Sequence, residues 1–324
     1  IETNAKALGI TLSSDYFRKE LINLVKKKPE LEEVKVTFMQ FFDMYIQNCK
    51  IAINERTGNR LSKASAVKYT NMRNMLKEFF VFRGKNADFD DLDKHFYSEL
   101  VNYMIEEKKY SINTYGRAIK FIKTVLHSAT EQGYNTKMDY KLVFKGTSEP
   151  SDSTYLTETE LENLFKLDLS ANFKLERVRD LFLIGCWTGL RFSDFTTIKK
   201  EDINGDRIRV KTQKTRHKVV IPIHPTVRAI IEKYNFELPP AISNQKFNEY
   251  LKEVAIKAEI NEPFTKHITK GGKTISITHP KHEFITSHVA RRSFATNAYK
   301  RKIEPLLIMA ITGHKTEAEF LKYL

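Results

Sequence analysis

Arg191, Lys214, His288, Arg291, His314 and Tyr323 are scattered along the chain, yet in that order they make a set of residue types able to act on a phosphodiester. They stand in the strings Thr188-Gly189-Leu190-Arg191, Gln213-Lys214-Thr215, His288-Val289-Ala290-Arg291, Gly313-His314-Lys315 and Lys322-Tyr323-Leu324. Two guanidiniums and an ammonium match the charge and geometry of phosphoryl oxygens. A tyrosine hydroxyl brought among them has the makings of a covalent nucleophile. Each string alone is ordinary: a helix end with an exposed arginine, a helical His-x-x-Arg pair, a Gly-His turn. The joint set is what points to chemistry.

The elements that must position these side chains are legible around them. Arg177 to Leu190 reads as a helix with Val178, Leu181, Ile184 and Trp187 among its apolar positions, and Gly189 permits a sharp exit just before Arg191. Arg207 to Ile223 alternates apolar and polar residues about a polar middle, which predicts a β-hairpin with Lys214 near its tip. His288 and Arg291, three apart on a predicted helix from Ser287 to Arg301, share a face; Arg292, at i+4, is also within reach of His288, so two candidates stand for the inward arginine. Gly313 ends a predicted helix from Pro305 to Thr312, His314 takes the corner, and Thr316-Glu317-Ala318-Glu319 is a capping box opening the helix toward Tyr323. Further helices are expected from Pro225 and Asn244, and the Gly271-Gly272 turn suggests another short hairpin.

Composition narrows the partner. The formal charge of +14 and isoelectric point near 9.5 favour a polyanion such as nucleic acid. Residues 191 to 230 hold ten Lys and Arg against four Asp and Glu, an excess suited to tracking phosphates along duplex DNA. Lys211, Arg216 and Lys218 on the hairpin are the preferred contacts there. Two cysteines, Cys49 and Cys186, both in apolar stretches, support neither a disulfide framework nor a thiolate metal site and fit a reducing cytosol. The sequence holds no run of 18 apolar residues and no apolar signal-peptide core at its N-terminus, so neither secretion nor a membrane is expected. A chain that begins without Met and stops one residue after Tyr323 also reads as a fragment of a longer protein. His279, His282 and His288 cluster in sequence, but no carboxylate-rich ligand pattern accompanies them, and no metal site is expected. Gly272-Lys273-Thr274 lacks the first glycine of a phosphate-binding loop, since His267 stands in its place.

At 324 residues about two domains are expected. Residues 1–35 are Lys-rich and read as a short helix running into a coupler, or the remnant of an arm-binding region. Residues 36–144 predict a helical domain. Phe38, Phe41, Phe42, Tyr45 and Ile46 make one apolar face; a second helix after Ser62 carries Val67, Met72, Met75, Leu76, Phe79 and Phe80. A third runs from Phe89 to Glu106, and a fourth is N-capped by Ser111 and ends near Gly133. Asn113, Arg117 and Lys120 on the fourth form a candidate DNA-backbone contact. The small polar residues around Gly146 and Pro150 mark a linker over 145–155, and a second, mixed domain spans 156–324 with a Thr157-x-x-Glu160 capping box at its start.

On these motifs the second domain resembles the catalytic domain of the tyrosine recombinases, or phage integrase family, from about Thr157 to Leu324, with the texture of integrases of Bacteroides-type mobile elements. The first domain is similar to that family's SAM-like core-binding domain. The fold class implied is multidomain, a mainly α SAM-like core-binding domain followed by a mixed α+β catalytic domain. The resemblance implies that Tyr323 attacks phosphorus to form a 3′-phosphotyrosyl bond and that Arg191 and Arg291 hold the non-bridging oxygens, which settles the choice against Arg292. It further implies Lys214 as proton donor to the leaving 5′-oxygen, His288 as general base, His314 as a hydrogen-bonding partner of the phosphate or the nucleophile, and Asp194 as a carboxylate orienting the cage. No cofactor is implied. Recombination sites in double-stranded DNA, a homotetramer on DNA and accessory DNA-bending proteins are the implied partners, in the bacterial nucleoid. Two features depart from the family pattern: Ala290 replaces the usual Leu before the second arginine, and the sequence stops short of the tail that docks on a neighbouring subunit. A type IB topoisomerase-like enzyme and a catalytically silent sequence-specific DNA-binding protein are the competing expectations.

Overall fold

The computed structural model describes residues 14–26, 35–51, 53–54, 59–60, 63–214 and 216–324. The chain divides into two compact units, Ile1–Ser148 and Glu149–Leu324.

The N-terminal unit is built on phenylalanines. It contains α1 (Ser14–Lys26), α2 (Phe38–Ile51), the two-residue strands β1 (Ile53–Asn54) and β2 (Asn59–Arg60), and α3 (Lys63–Arg83). α4 (Lys94–Asn102), α5 (Ile112–Glu131) and α6 (Tyr140–Val143) complete it. α2 buries Phe38, Phe41, Phe42 and Ile46, the face its spacing predicts, against Leu76, Phe79, Phe96, Ile119 and Ile122. Val67 departs from expectation and is 56% exposed. Nine residues before Leu76, it stands about half a turn away from it at roughly 100° per residue. The expected helix over Phe89–Glu106 is three pieces: a 3-10 turn at Phe89–Asp91, α4, and a π-helical turn at Tyr103–Glu107. The carboxylates of Asp88 and Asp93 accept the amides of Phe89 and Phe96, so each starts a helix of its own and interrupts the longer one. Ser111 caps α5 as expected by accepting the Thr114 amide. Ser62 lies outside the described residues.

The segment that reads as a linker is held at both ends. A Cβ on Gly116 in α5 would lie 1.9 Å from the Thr147 carbonyl oxygen, and one on Gly146 would lie 2.7 Å from Lys120 Cγ, so residues 145–148 run directly along that helix. Within the C-terminal unit, Glu149 accepts the Thr269 hydroxyl, and Asp152 accepts the His267 amide at 2.7 Å.

The C-terminal unit opens with α7 (Glu158–Lys166), where Thr157 and Glu160 form the capping box. α8 (Phe173–Thr188) is apolar on nearly every side and forms the unit's centre, with Leu175, Val178, Leu181, Phe182, Leu183, Ile184 and Cys186 buried. Around it stand α9 (Phe192–Phe195), the antiparallel strands β3 (Ile203–Asn204), β4 (Arg207–Lys211) and β5 (Lys218–Pro222), α10 (Pro225–Lys233) and α11 (Asn244–Lys257). The Gly271-Gly272 turn joins β6 (Pro263–Lys270) to β7 (Lys273–Pro280), a longer hairpin than expected because all eight residues of each strand pair in register. α12 (Ser287–Lys300), α13 (Pro305–Thr312) and α14 (Glu317–Leu321) follow. α12 crosses α8 at a small-residue contact: a Cβ on Gly185 would lie 3.1 Å from that of Ala290, which is fully buried. A small residue at position 290 thus lets the two helices approach closely.

Candidate active site

Tyr323 follows α14, and two residues of α12 hold its backbone. The Arg292 guanidinium donates to the Lys322 carbonyl at 2.8 Å, and the Thr296 hydroxyl to the Tyr323 carbonyl at 2.9 Å. The phenol is thereby placed with its oxygen 3.0 Å from His288 Nε2. The His314 ring centroid is 4.4 Å from that of Tyr323, and the guanidinium carbon of Arg291 lies 5.8 Å from it. α12 thus presents His288 and the buried Arg291 toward the tyrosine, while Arg292, its guanidinium carbon 5.1 Å from the Tyr323 ring, clamps the chain that carries it.

Arg291 is 2% exposed and fixed from two sides. It donates to the Gly189 carbonyl at 2.9 Å and to the Thr312 carbonyl, and it faces His314 Nε2 at 3.3 Å. Gly189 is obligatory there. Its φ of +67° ends α8 in the left-handed region, and a Cβ would lie 2.4 Å from the Phe294 ring. Gly313, at φ +66°, turns the chain after α13 and sets His314 at the corner. An arginine only donates, so His314 Nε2 accepts from Arg291 and the ring proton sits on Nδ1, 2.9 Å from the Thr312 hydroxyl, which itself donates to the Ile308 carbonyl at 2.6 Å.

Cations and desolvation set the ionisation. Burial first, then Arg291, Arg191 and His288, push His314 down to about 4. His288 is lowered by desolvation first and then by Arg291, Arg292, Arg191 and Lys214, although part of its ring reaches solvent. Both imidazoles are neutral at pH 7, so His288 Nε2 is free to accept the Tyr323 proton. Desolvation and the charge of Arg191 bring Arg291 down to about 10. Arg191 stands at the N-terminal end of α9 without a side-chain capping bond, and its Nη1, like Arg291 Nε, is buried without a hydrogen-bond partner among the described residues. Buried donors left unmatched cost roughly 1–3 kcal/mol each, and they suit an anion that supplies acceptors.

Asp194 and Lys214 belong to the same region. Asp194 is buried, and its Oδ1 accepts the Gln213 amide at 2.8 Å, fixing the residue before Lys214. The exposed Lys214 contributes to the lowering of His288. The six residues of the sequence set, with Asp194, are thus gathered within the C-terminal unit. Of the surface candidates, Lys211 and Lys218 are register partners on the exposed face of the β4–β5 hairpin, alongside Arg207 and Arg209, and Arg216 is exposed in its turn at φ +58°. In the N-terminal unit Arg117 is exposed, Asn113 is half-buried, and the stem of Lys120 lies against Gly146. The histidines of the metal reading take separate partners: His279 with Glu283 at 3.7 Å, His282 with Asn261 at 3.1 Å, and His288 with Tyr323. Sequence reasoning did not assign Thr296, Thr312 or Gln213, and it set Arg292 aside. The signal available for Thr296 was its place two turns after His288 on the same helix.

A tyrosine, two arginines, a lysine and two neutral histidines gathered on a helical and small-sheet scaffold are groups able to act on a phosphodiester. Residues 37–147 match the phage integrase SAM-like domain, and residues 154–324 match the phage integrase family. The chain belongs to the phage integrase family, the tyrosine-type site-specific DNA recombinases. Its fold is similar to a lambda integrase dimer bound to a COC′ core site (TM-score 0.65, 16% identity, 89% of this chain and 95% of that one). It is similar also to a lambda integrase tetramer bound to a Holliday junction (TM-score 0.65, 16% identity, 90% and 78%). A third likeness is to the Tn1549 transposon integrase in complex with circular intermediate DNA (TM-score 0.60, 16% identity, 89% and 95%). No curated protein sequence matches the chain. Among the described residues, no helix is long and apolar enough to cross a membrane.

Proposed function

We propose that this chain cleaves and rejoins duplex DNA at a specific site through a 3′-phosphotyrosyl intermediate on Tyr323. The observation that carries this is the phenol held 3.0 Å from a neutral imidazole beside Arg191 and Arg291, whose buried N–H groups await acceptors. Tyr323 Oη forms a bond to the scissile phosphorus as its proton passes to His288 Nε2. The bond from phosphorus to the 5′-oxygen breaks, and that oxygen takes a proton from Lys214. Arg191 and Arg291 bind the non-bridging oxygens, where charge accumulates in the transition state; one such donor is worth roughly 3–4 kcal/mol. His314, held by Thr312 through Nδ1, accepts from Arg291 through Nε2 and so orients that guanidinium toward the phosphate. Attack by a partner strand's 5′-hydroxyl reverses these steps and completes strand exchange without an external energy source.

Residues 36–144 serve as the core-binding domain, with Asn113, Arg117 and Lys120 toward the DNA backbone, and residues 156–324 as the catalytic domain, with Lys211, Arg216 and Lys218 as phosphate contacts. The reaction serves integration or excision of a mobile element, with four copies on paired DNA sites and DNA-bending accessory proteins in the bacterial nucleoid. The assemblies of similar fold, a dimer on a core site and a tetramer on a Holliday junction, support that stoichiometry.

The test is incubation with a nicked duplex pool of randomised sequence, followed by a denaturing gel. A protein–DNA adduct lost in Tyr323→Phe, with DNA binding retained, is expected. Binding without adduct from the natural protein favours a silent DNA-binding protein. Supercoil relaxation with no exchange of strands favours a topoisomerase.

A further inference from the structure

Lys214 stands in the turn between β4 and β5, and a turn of that kind holds a proton donor in place only if something holds the turn. The neck is closed by Thr212, whose amide donates to the His217 carbonyl at 2.9 Å and whose carbonyl accepts the Arg216 amide at 2.9 Å. These bonds shape the loop but do not tie it to the arginine cage. The tie is Gln213. Its backbone amide goes to Asp194 Oδ1 at 2.8 Å, and its side-chain Nε2 donates to the Ser193 carbonyl at 2.8 Å and to the Thr197 hydroxyl at 3.3 Å. Ser193, Asp194 and Thr197 all lie within two turns of Arg191, so one residue connects the lysine turn to the segment that presents the first arginine.

We infer that the Gln213 side chain is a positioning residue that bolts the Lys214 turn to the 193–197 segment and so sets the proton donor against the leaving oxygen. This rests on the general-acid role proposed for Lys214. The amide suits the task because it donates to the Ser193 carbonyl; a carboxylate of the same length only accepts. A donor displaced by about 1 Å loses on the order of 10²-fold in rate. The loss falls on protonation of the leaving group and spares phosphate binding and attack.

That selectivity provides the test. A DNA site is first recovered from the covalent adducts formed on the randomised duplex pool, then remade with a 5′-bridging phosphorothiolate at the scissile bond. Its thiolate leaves without a proton, since thiols are far more acidic than alcohols. Gln213→Ala should cleave the ordinary phosphodiester about 10- to 100-fold more slowly than the natural protein and the phosphorothiolate at the natural rate. Gln213→Glu should behave like the alanine variant, and Thr197→Val, which removes one acceptor, should show the same substrate-selective loss at smaller size. Lys214→Ala serves as the reference. If it is rescued by sulfur and neither Gln213→Ala nor Thr197→Val is, Gln213 is not a positioning residue. If Lys214→Ala is itself not rescued, the general-acid role falls and the inference with it. A Gln213→Ala protein that fails to fold is slow on both substrates, and the Thr197→Val comparison then decides.

Discussion

His314 makes a pH signature that can be read without knowing the DNA site. Its imidazole lies among Arg291, Arg191 and His288 and is pushed down to about 4 in the fold, against about 6.5 in an unfolded chain. Between these values the unfolded chain binds more protons than the folded one, so stability rises with pH across the window. The contribution is fully present above about pH 6.5, declines as the pH falls, and is gone below about pH 4. At about 1.4 kcal/mol per pH unit, lowering the pH from 7 to 5 removes about 2 kcal/mol from this one group. Solvent at the open side of the ring screens the cations and brings the expectation to about 1–2 kcal/mol. The assay is urea unfolding at pH 7 and pH 5 followed by Trp187, the chain's one tryptophan, which lies in the C-terminal unit. His314→Gln removes the titrating group, so its midpoint should fall less with acid than that of the natural protein, by the equivalent of that 1–2 kcal/mol. The comparison of slopes cancels any pH-independent loss from the altered hydrogen bonds. Equal slopes in the two proteins would refute the arrangement of charges described for the cage.

Two further expectations concern packing. Ala290→Leu places a larger side chain where a Cβ on Gly185 would already lie 3.1 Å away; overpacking should destabilise the C-terminal unit by about 1–3 kcal/mol, read as a lower midpoint in the same Trp187 assay. An unchanged midpoint would mean that the contact between α8 and α12 is looser than described. Gly116→Ala sets a methyl 1.9 Å from the Thr147 carbonyl oxygen and should lift residues 145–148 off α5, seen as faster proteolytic nicking there; equal nicking in both proteins would sink the idea that this contact restrains the segment.

The candidate site was legible in sequence because it depends on residue type: Arg191, Lys214, His288, Arg291, His314 and Tyr323 each sit in a short string with its own turn or helix signal, and the structure gathers them. What holds them was much less legible. Arg292 and Thr296 act on the carbonyls of residues 322 and 323, and Gln213 on the carbonyl of Ser193. A backbone carbonyl has no residue type, so nothing in the string Arg-Arg-Ser-Phe-Ala-Thr separates a clamp from an exposed face. The break at Asp93 was missed for a different reason. The apolar period runs through Phe89, Phe96 and Leu100 without interruption, and periodicity outweighed the acidic cluster around Asp88 and Asp93 whose carboxylates start new helices.

The segment around Gly146 shows a signal that was present and unread. Its small polar residues predict a loose tether because composition reports what cannot be buried. Gly116, however, sits in the interior of a twenty-residue helix, where glycine costs about 1 kcal/mol relative to alanine. Such a cost persists when another stretch of backbone must pass where a Cβ would be, and here that backbone is Thr147. A helix-interior glycine followed about thirty residues later by a Gly-Thr pair is thus evidence of contact between the two. It argues that the path leaving the helical domain is specified by the helix it leaves, and not only by the length of chain that follows.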